Sequence, residues 1–86
     1  MPTGNRVIVV DSHSARKYVG MIRGLFEKYD EIIVTARGRH FRRLAEVLRG
    51  IRPFVRVRGV QFTYADRAPE LSVTVSAVEG AGGGGG

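Results

Sequence analysis

The pentapeptide Ala36-Arg37-Gly38-Arg39-His40 stands where an apolar run, Ile32-Ile33-Val34, gives way to a segment with helical periodicity that opens Phe41-Arg42-Arg43. A helix start presents free backbone N–H groups and the positive end of the helix dipole, so a glycine-bearing turn with several arginines there is suited to hold a phosphate. A solvated basic turn whose glycine serves backbone geometry alone is the plainer alternative. Other chemistry has little support. Spacing suggests no serine, histidine and acid constellation, there is no Walker loop, and the eight acids are scattered with no metal-binding cluster. Ser12-His13 lies in a second strand-to-helix turn, but no oxyanion donors or third member accompany it, and His13 reads as a loop residue. With no cysteine, disulfides and thiolate metal sites are excluded, and His13 and His40 alone make no metal cluster. The expectation is a chain that is not an enzyme and takes no cofactor or metal.

Composition points to the partner. Lys and Arg total 14 against 8 Asp and Glu, for a net charge of +6, and 12 of the 14 are arginine, leaving only Lys17 and Lys28. Arginine's planar fork favours bidentate contact to phosphate over point-charge attraction, so a polyanion is the natural partner. Genome base composition or a high working temperature also raises arginine, and neither says which polyanion is bound.

The elements that must position these arginines follow from periodicity. Arg6 to Val10 holds the unbroken run Val7-Ile8-Val9-Val10, which suits an interior strand. Asp11, Ser12 and Ser14 then offer acceptors for a helix N-cap. From Ala15 the residues Ala15, Tyr18, Val19, Ile22, Leu25 and Phe26 form one helical stripe, with Arg16, Arg23 and Glu27 opposite. Gly20 and Gly24 lower helix propensity, which suggests close packing against sheet or partner. Glu31 to Ala36 reads as the second strand, completing a strand–helix–strand crossover in about thirty residues and hence a parallel pair. A second helix over about Arg39 to Gly50 places Phe41, Leu44, Ala45 and Leu48 on one face and Arg42, Arg43, Glu46 and Arg49 on the other, with Gly50 as C-cap and Pro53 blocking continuation. Val55, Val57, Val60, Phe62 and Tyr64 mark a third strand with Gly59 as a bulge. After a turn around Ala65 to Pro69, Leu71, Val73 and Val75 alternate with Ser72, Thr74 and Ser76 in a fourth strand. The order β-α-β-α-β-β implies an α+β two-layer sandwich, a four-stranded mixed sheet with both helices on one face.

In that context the string Asp30-Glu31-Ile32-Ile33-Val34-Thr35-Ala36-Arg37-Gly38-Arg39 resembles the second strand and following turn of the Alba family, archaeal chromatin proteins whose relatives bind DNA or RNA. The likeness takes in Tyr18-Val19, the element order and the helix after the arginines, roughly residues 6 to 78. It implies a homodimer lying across duplex nucleic acid, with the first loop and the Arg-Gly-Arg turn on the backbone. Arg37 and Arg39 match the family's arginines and Gly38 its hinge glycine. Where the family carries a Gly-Lys-Lys-Pro-like loop this chain has Asp11-Ser12-His13-Ser14, so Arg16 and Lys17 supply charge one turn later. The family's long hairpin arm is reduced to a few residues around Asp66, Arg67 and Ala68, and Arg42, Arg43, Arg52, Arg56 and Arg58 would offset both losses.

The expected function is therefore a dimeric protein that contacts the backbone of double-stranded DNA without strong sequence preference, through Arg16, Lys17, Arg37, Gly38, Arg39, Arg42 and Arg43. The alternative is an RNA-binding module, since the topology also resembles the C-terminal domain of bacterial translation initiation factor three and Alba relatives occur in RNA-processing complexes. A protein that binds no nucleic acid is the third reading, in which Arg42, Arg43 and Arg49 are a solvated helix face. Phe41, Phe54 and Phe62 read as core or dimer-interface residues. Residues 1–79 form one domain and 80–86 a flexible Gly-rich tail. No apolar stretch reaches the roughly 18 residues of a membrane span, nor is there a signal-peptide core, so a soluble cytoplasmic, chromosome-associated protein is expected.

Overall fold

The computed structural model describes residues 5–78, so the tail assigned to 80–86 and the domain limit at 79 lie outside the described residues. The elements are β1 (Arg6–Ile8), α1 (Ala15–Leu25), β2 (Glu31–Arg37), α2 (Phe41–Ile51), β3 (Val55–Ala65) and β4 (Ala68–Ala77), with 3-10 turns at Gly38–His40 and Arg52–Phe54. The sheet order is β1-β2-β4-β3, β1 and β2 parallel and the other pairs antiparallel. This is the expected α+β, β-α-β-α-β-β sandwich.

One face of the sheet makes the core. Val7 and Val9, Ile32, Val34 and Ala36, and Val73 and Val75 recur at every second position and join Tyr18 and Ile22 of α1 and Leu44, Val47 and Ile51 of α2 in a single buried cluster. Both helices therefore lie on that face. On the other face Thr35 is buried too, and its Oγ1 donates to the Leu71 carbonyl (3.1 Å). That commits its proton, so Ser72 Oγ is the donor in the 2.9 Å hydroxyl contact between them.

Several local expectations are corrected. The valine run is not an interior strand: β1 is an edge, regular only from Arg6 to Ile8, with Ile8 63% exposed, although the Val9 N–H still reaches the Thr35 carbonyl (2.8 Å). Gly20 and Gly24 do not pack against the sheet, since a Cβ at either would meet nothing within 4 Å. Gly50 is not a C-cap but lies inside α2, where a Cβ would stand 2.5 Å from Val19 Cγ2. The missing side chain lets α1 and α2 close on each other. Beyond Ile51, Pro53 lacks the N–H a continuing helix requires and the chain tightens into a 3-10 turn. That turn buries Phe54 beneath Arg23, whose guanidinium lies 4.5 Å from the ring centre, and edge-on to Phe26. Phe54 is thus core, while Phe62 is 59% exposed and is not.

The bulge in β3 falls between Val57 and Gly59, leaving Arg58 as the extra residue. Its effect is on phase. Val55 and Val57 are odd-numbered and Val60, Phe62 and Tyr64 even, yet they oppose Ala77, Val75, Val73, Leu71 and Pro69, all on one face of β4. The five therefore form one apolar stripe on the helix side of the edge strand, where no helix covers Val57, Val60, Phe62 and Tyr64. Between this stripe and α2 lies a groove of about 330 Å³ lined by Leu48, Arg49, Arg52, Val55, Val57 and Val75.

Candidate nucleic-acid interface

Three connections meet at one end of the sheet. β1 and β2 are parallel, so their C-terminal ends, and the loops that lead into α1 and α2, share that end. Arg37, the last residue of β2, opposes Glu70, and two further pairs, Tyr64 with Pro69 and Ala65 with Ala68, bring the β3–β4 turn beside them. That turn is Asp66-Arg67, both with positive φ (54° and 63°), as a two-residue hairpin of the primed type requires. The connection is thus two residues rather than the five expected, and the arm projects only two residue pairs past β2.

The first junction is closed internally. Ser14 Oγ accepts the Lys17 N–H (3.2 Å), so of the three candidate caps the structure uses Ser14, and α1 starts at Ala15 with Arg16 and Lys17 exposed in its first turn. Tyr18 reaches back to hold the strand end: its hydroxyl accepts the Val10 N–H (3.0 Å) and donates to the Val10 carbonyl (3.3 Å).

The second junction is open. Arg37 keeps extended geometry (φ −82°, ψ 165°), Gly38–His40 forms a 3-10 turn, and α2 begins at Phe41 rather than Arg39. Neither Arg37 nor His40 caps the backbone with its side chain, so the N–H groups at this helix start have no side-chain acceptor. Gly38 is required by close approach, not by a left-handed backbone: a Cβ there would stand 2.7 Å from Pro69 Cγ of the hairpin base. It is a point of contact rather than a hinge.

Of the seven residues expected at the site, Arg37, Gly38, Arg39, Arg42 and Arg43 come from this second junction, and Arg16 and Lys17 from the start of α1. Among the described residues Arg16, Lys17, Arg37, Arg39 and Arg42 make no ion pair, and all five are exposed. Arg43 differs. Its Nη1 donates to Glu46 Oε1 at 2.7 Å, and its Nε, buried and without a hydrogen-bond partner, lies 4.0 Å from Asp11 Oδ1. Of the arginines expected to offset the shortened arm, Arg42 and Arg43 stand at this end, whereas Arg56 and Arg58 do not: Arg56 opposes Ser76, whose other neighbour is Glu31, and Arg58 lies 3.9 Å from Glu31 at the start of β2. The seven residues of β2 put about 20 Å between them and Arg37.

Sequence reasoning missed the contact that ties the two junctions together. The Asp11 N–H donates to His40 Nδ1 (3.2 Å), and the Asp11 carboxylate lies 3.5 Å from the same nitrogen. One signal was present in the sequence, since Asp11 is the only acid between Val7 and Phe26. Among the described residues no three of His, Cys, Asp and Glu gather as a metal site, and no helix is long and apolar enough to cross a membrane.

No family model matches this chain, and no curated protein matches it in sequence. Solved structures do. The chain superimposes on ALBA1 from Trypanosoma brucei with a TM-score of 0.85 at 17% identity, over 92% of this chain and 74% of that one. Alba from Thermoplasma volcanium matches with a TM-score of 0.66 at 19% identity, over 84% of this chain and 99% of that one. The shared element order, the mixed sheet and the two superpositions together establish that this chain has the Alba fold.

Proposed function

We propose that the chain is a homodimeric, non-catalytic protein that binds the backbone of double-stranded DNA without strong sequence preference and associates with the chromosome. The observation that carries this reading is the gathering of Arg16, Lys17, Arg37, Arg39 and Arg42, exposed and free of ion pairs among the described residues, around an uncapped helix start at one end of the sheet. Phosphate oxygens accept from just such donors, and contacts of this kind fix position on a duplex without reading bases. The Alba fold of the chain agrees with a nucleic-acid partner.

Competition among duplex DNA, duplex RNA and single strands at matched salt tests the reading. Duplex DNA is expected to be preferred, with log affinity falling against log salt at a slope of about −4 to −5 if four to six phosphates are neutralised per dimer. A flat salt response would remove the nucleic-acid reading, and preference for RNA would move it to the second polyanion.

The dimer rests on the stripe of Val57, Val60, Phe62 and Tyr64 along an unpaired edge strand. Contiguous exposed apolar surface on a strand edge is a liability in a monomer, and a two-fold partner laid over it would cover the stripe of both copies. Sedimentation at micromolar concentration is expected to give a mass near twice 9.4 kDa. A monomer at that concentration would count against the pairing.

A further inference from the structure

Asp11 is out of place in a basic surface, and the structure holds it there firmly. Tyr18 fixes Val10 through both of that residue's backbone groups, and His40 takes the Asp11 N–H, so the backbone leading into the carboxylate is tied. The carboxylate itself lies between His40 and Arg43, with Oδ2 3.5 Å from His40 Nδ1 and Oδ1 turned to Arg43. One edge of that guanidinium is occupied by Glu46 (2.7 Å), and on the other the buried Nε has no hydrogen-bond partner and has Asp11 Oδ1 at 4.0 Å. At 4.0 Å the two charges attract, but the separation is beyond hydrogen-bond reach. An anion that came within reach of Nε would have to share this space with Asp11.

We propose that the Asp11 carboxylate is an internal occupant of a phosphate position on Arg43, which withholds that arginine from the nucleic acid and lowers the affinity of the surface. Arg16, Lys17, Arg37, Arg39 and Arg42 bind phosphate in the resting protein, while Arg43 contributes only when Asp11 is neutralised. Asp11 thus sets affinity by subtraction. The inference rests on the nucleic-acid reading above and adds the residue that tunes it.

A double-mutant cycle on a mixed-sequence DNA duplex tests it. Asp11→Asn keeps the backbone N–H on His40 and removes only the charge. It should tighten binding about three- to tenfold at low salt and steepen the log–log salt slope by about one for each Arg43 that gains a phosphate. Arg43→Gln alone should change affinity less than about twofold, yet it should abolish the gain when combined with D11N. Asp11→Ser serves as a second neutral variant should the asparagine disturb the loop, with circular dichroism verifying the fold of each. A folded D11N and D11S that bind like the parent overturn the inference, as does a gain that survives R43Q, which would be a general charge effect. Those outcomes leave the parent's own binding intact, whereas a parent that fails to bind the duplex removes the nucleic-acid reading and this inference with it.

Discussion

The two strand-to-helix junctions have the same topological part and opposite chemistry. Each carries the chain from the C-terminal end of a parallel strand into a helix, and they lie side by side at one end of the sheet. At the first, Ser14 caps α1, Tyr18 satisfies Val10, and the acid Asp11 lies against His40 and Arg43 of the second. At the second, arginines replace the acid and no side chain caps the turn. A junction whose backbone donors are consumed locally gains stability and has only side chains such as Arg16 and Lys17 left to offer, while one whose backbone donors stay open leaves hydrogen-bonding capacity unspent. The folded chain thus sets a closed junction beside an open one, and the Asp11–His40 contact joins the two.

This contrast can be probed by removing what is special at each junction. The largest effect is expected at the open one: Arg37→Ala with Arg39→Ala removes two charge-assisted contacts, each worth about 1.5 kcal/mol or more, and should weaken duplex binding roughly 100-fold across all sequences. The thermal transition should hardly move, and a double variant that binds like the parent would make the turn purely structural. Next in size is Gly38→Ala, whose Cβ must displace the rigid Pro69 ring. Overpacking of that kind costs about 1–3 kcal/mol, read as a lower melting temperature with broadened amide signals near the hairpin base. The smallest belongs to the closed junction. Ser14→Ala removes one cap, should cost about 1 kcal/mol of stability, or roughly 4–8 °C for a domain this small, and should leave affinity nearly unchanged. If S14A weakened binding as much as the arginine pair did, the division between the junctions would fail.

Much of the architecture was legible because periodicity is a local property. The stripe from Ala15 to Phe26 and the alternation from Leu71 to Ser76 each report which face is buried, and both faces were read correctly. The Arg-Gly-Arg turn was placed because a strand ends just before it and a helix starts just after it. What could not be read depends on neighbours distant in sequence. A run such as Val7 to Val10 is equally at home at an edge or an interior position, and only pairing decides. Gly50 faces Val19 and Gly38 faces Pro69 across 31 residues each, so a glycine that looked like a cap or a hinge is a point of contact. The partition of the arginines was hidden for the same reason, since Arg42 and Arg43 are adjacent in sequence and only one of them meets Asp11 and Glu46.

The extra residue in β3 has a consequence for how this strand tolerates change. Indels near a sheet edge are ordinarily among the gentler alterations, because few contacts are disturbed. Here Arg58 acts as a frame-shift within the pleat, reconciling an odd-numbered valine pair with an even-numbered valine, phenylalanine and tyrosine. Excising it would join Val57 to Gly59 in a regular ladder, with Val55 and Val57 still opposite Ala77 and Val75 and still on the side of Val60, Phe62 and Tyr64. Pairing the strand regularly at its present length, by contrast, would turn Val55 and Val57 to the opposite side and break the stripe in the middle. The bulge thus governs whether the apolar surface is continuous, and a substitution at Arg58 or Gly59 that favoured regular pairing would do more harm than loss of the residue itself.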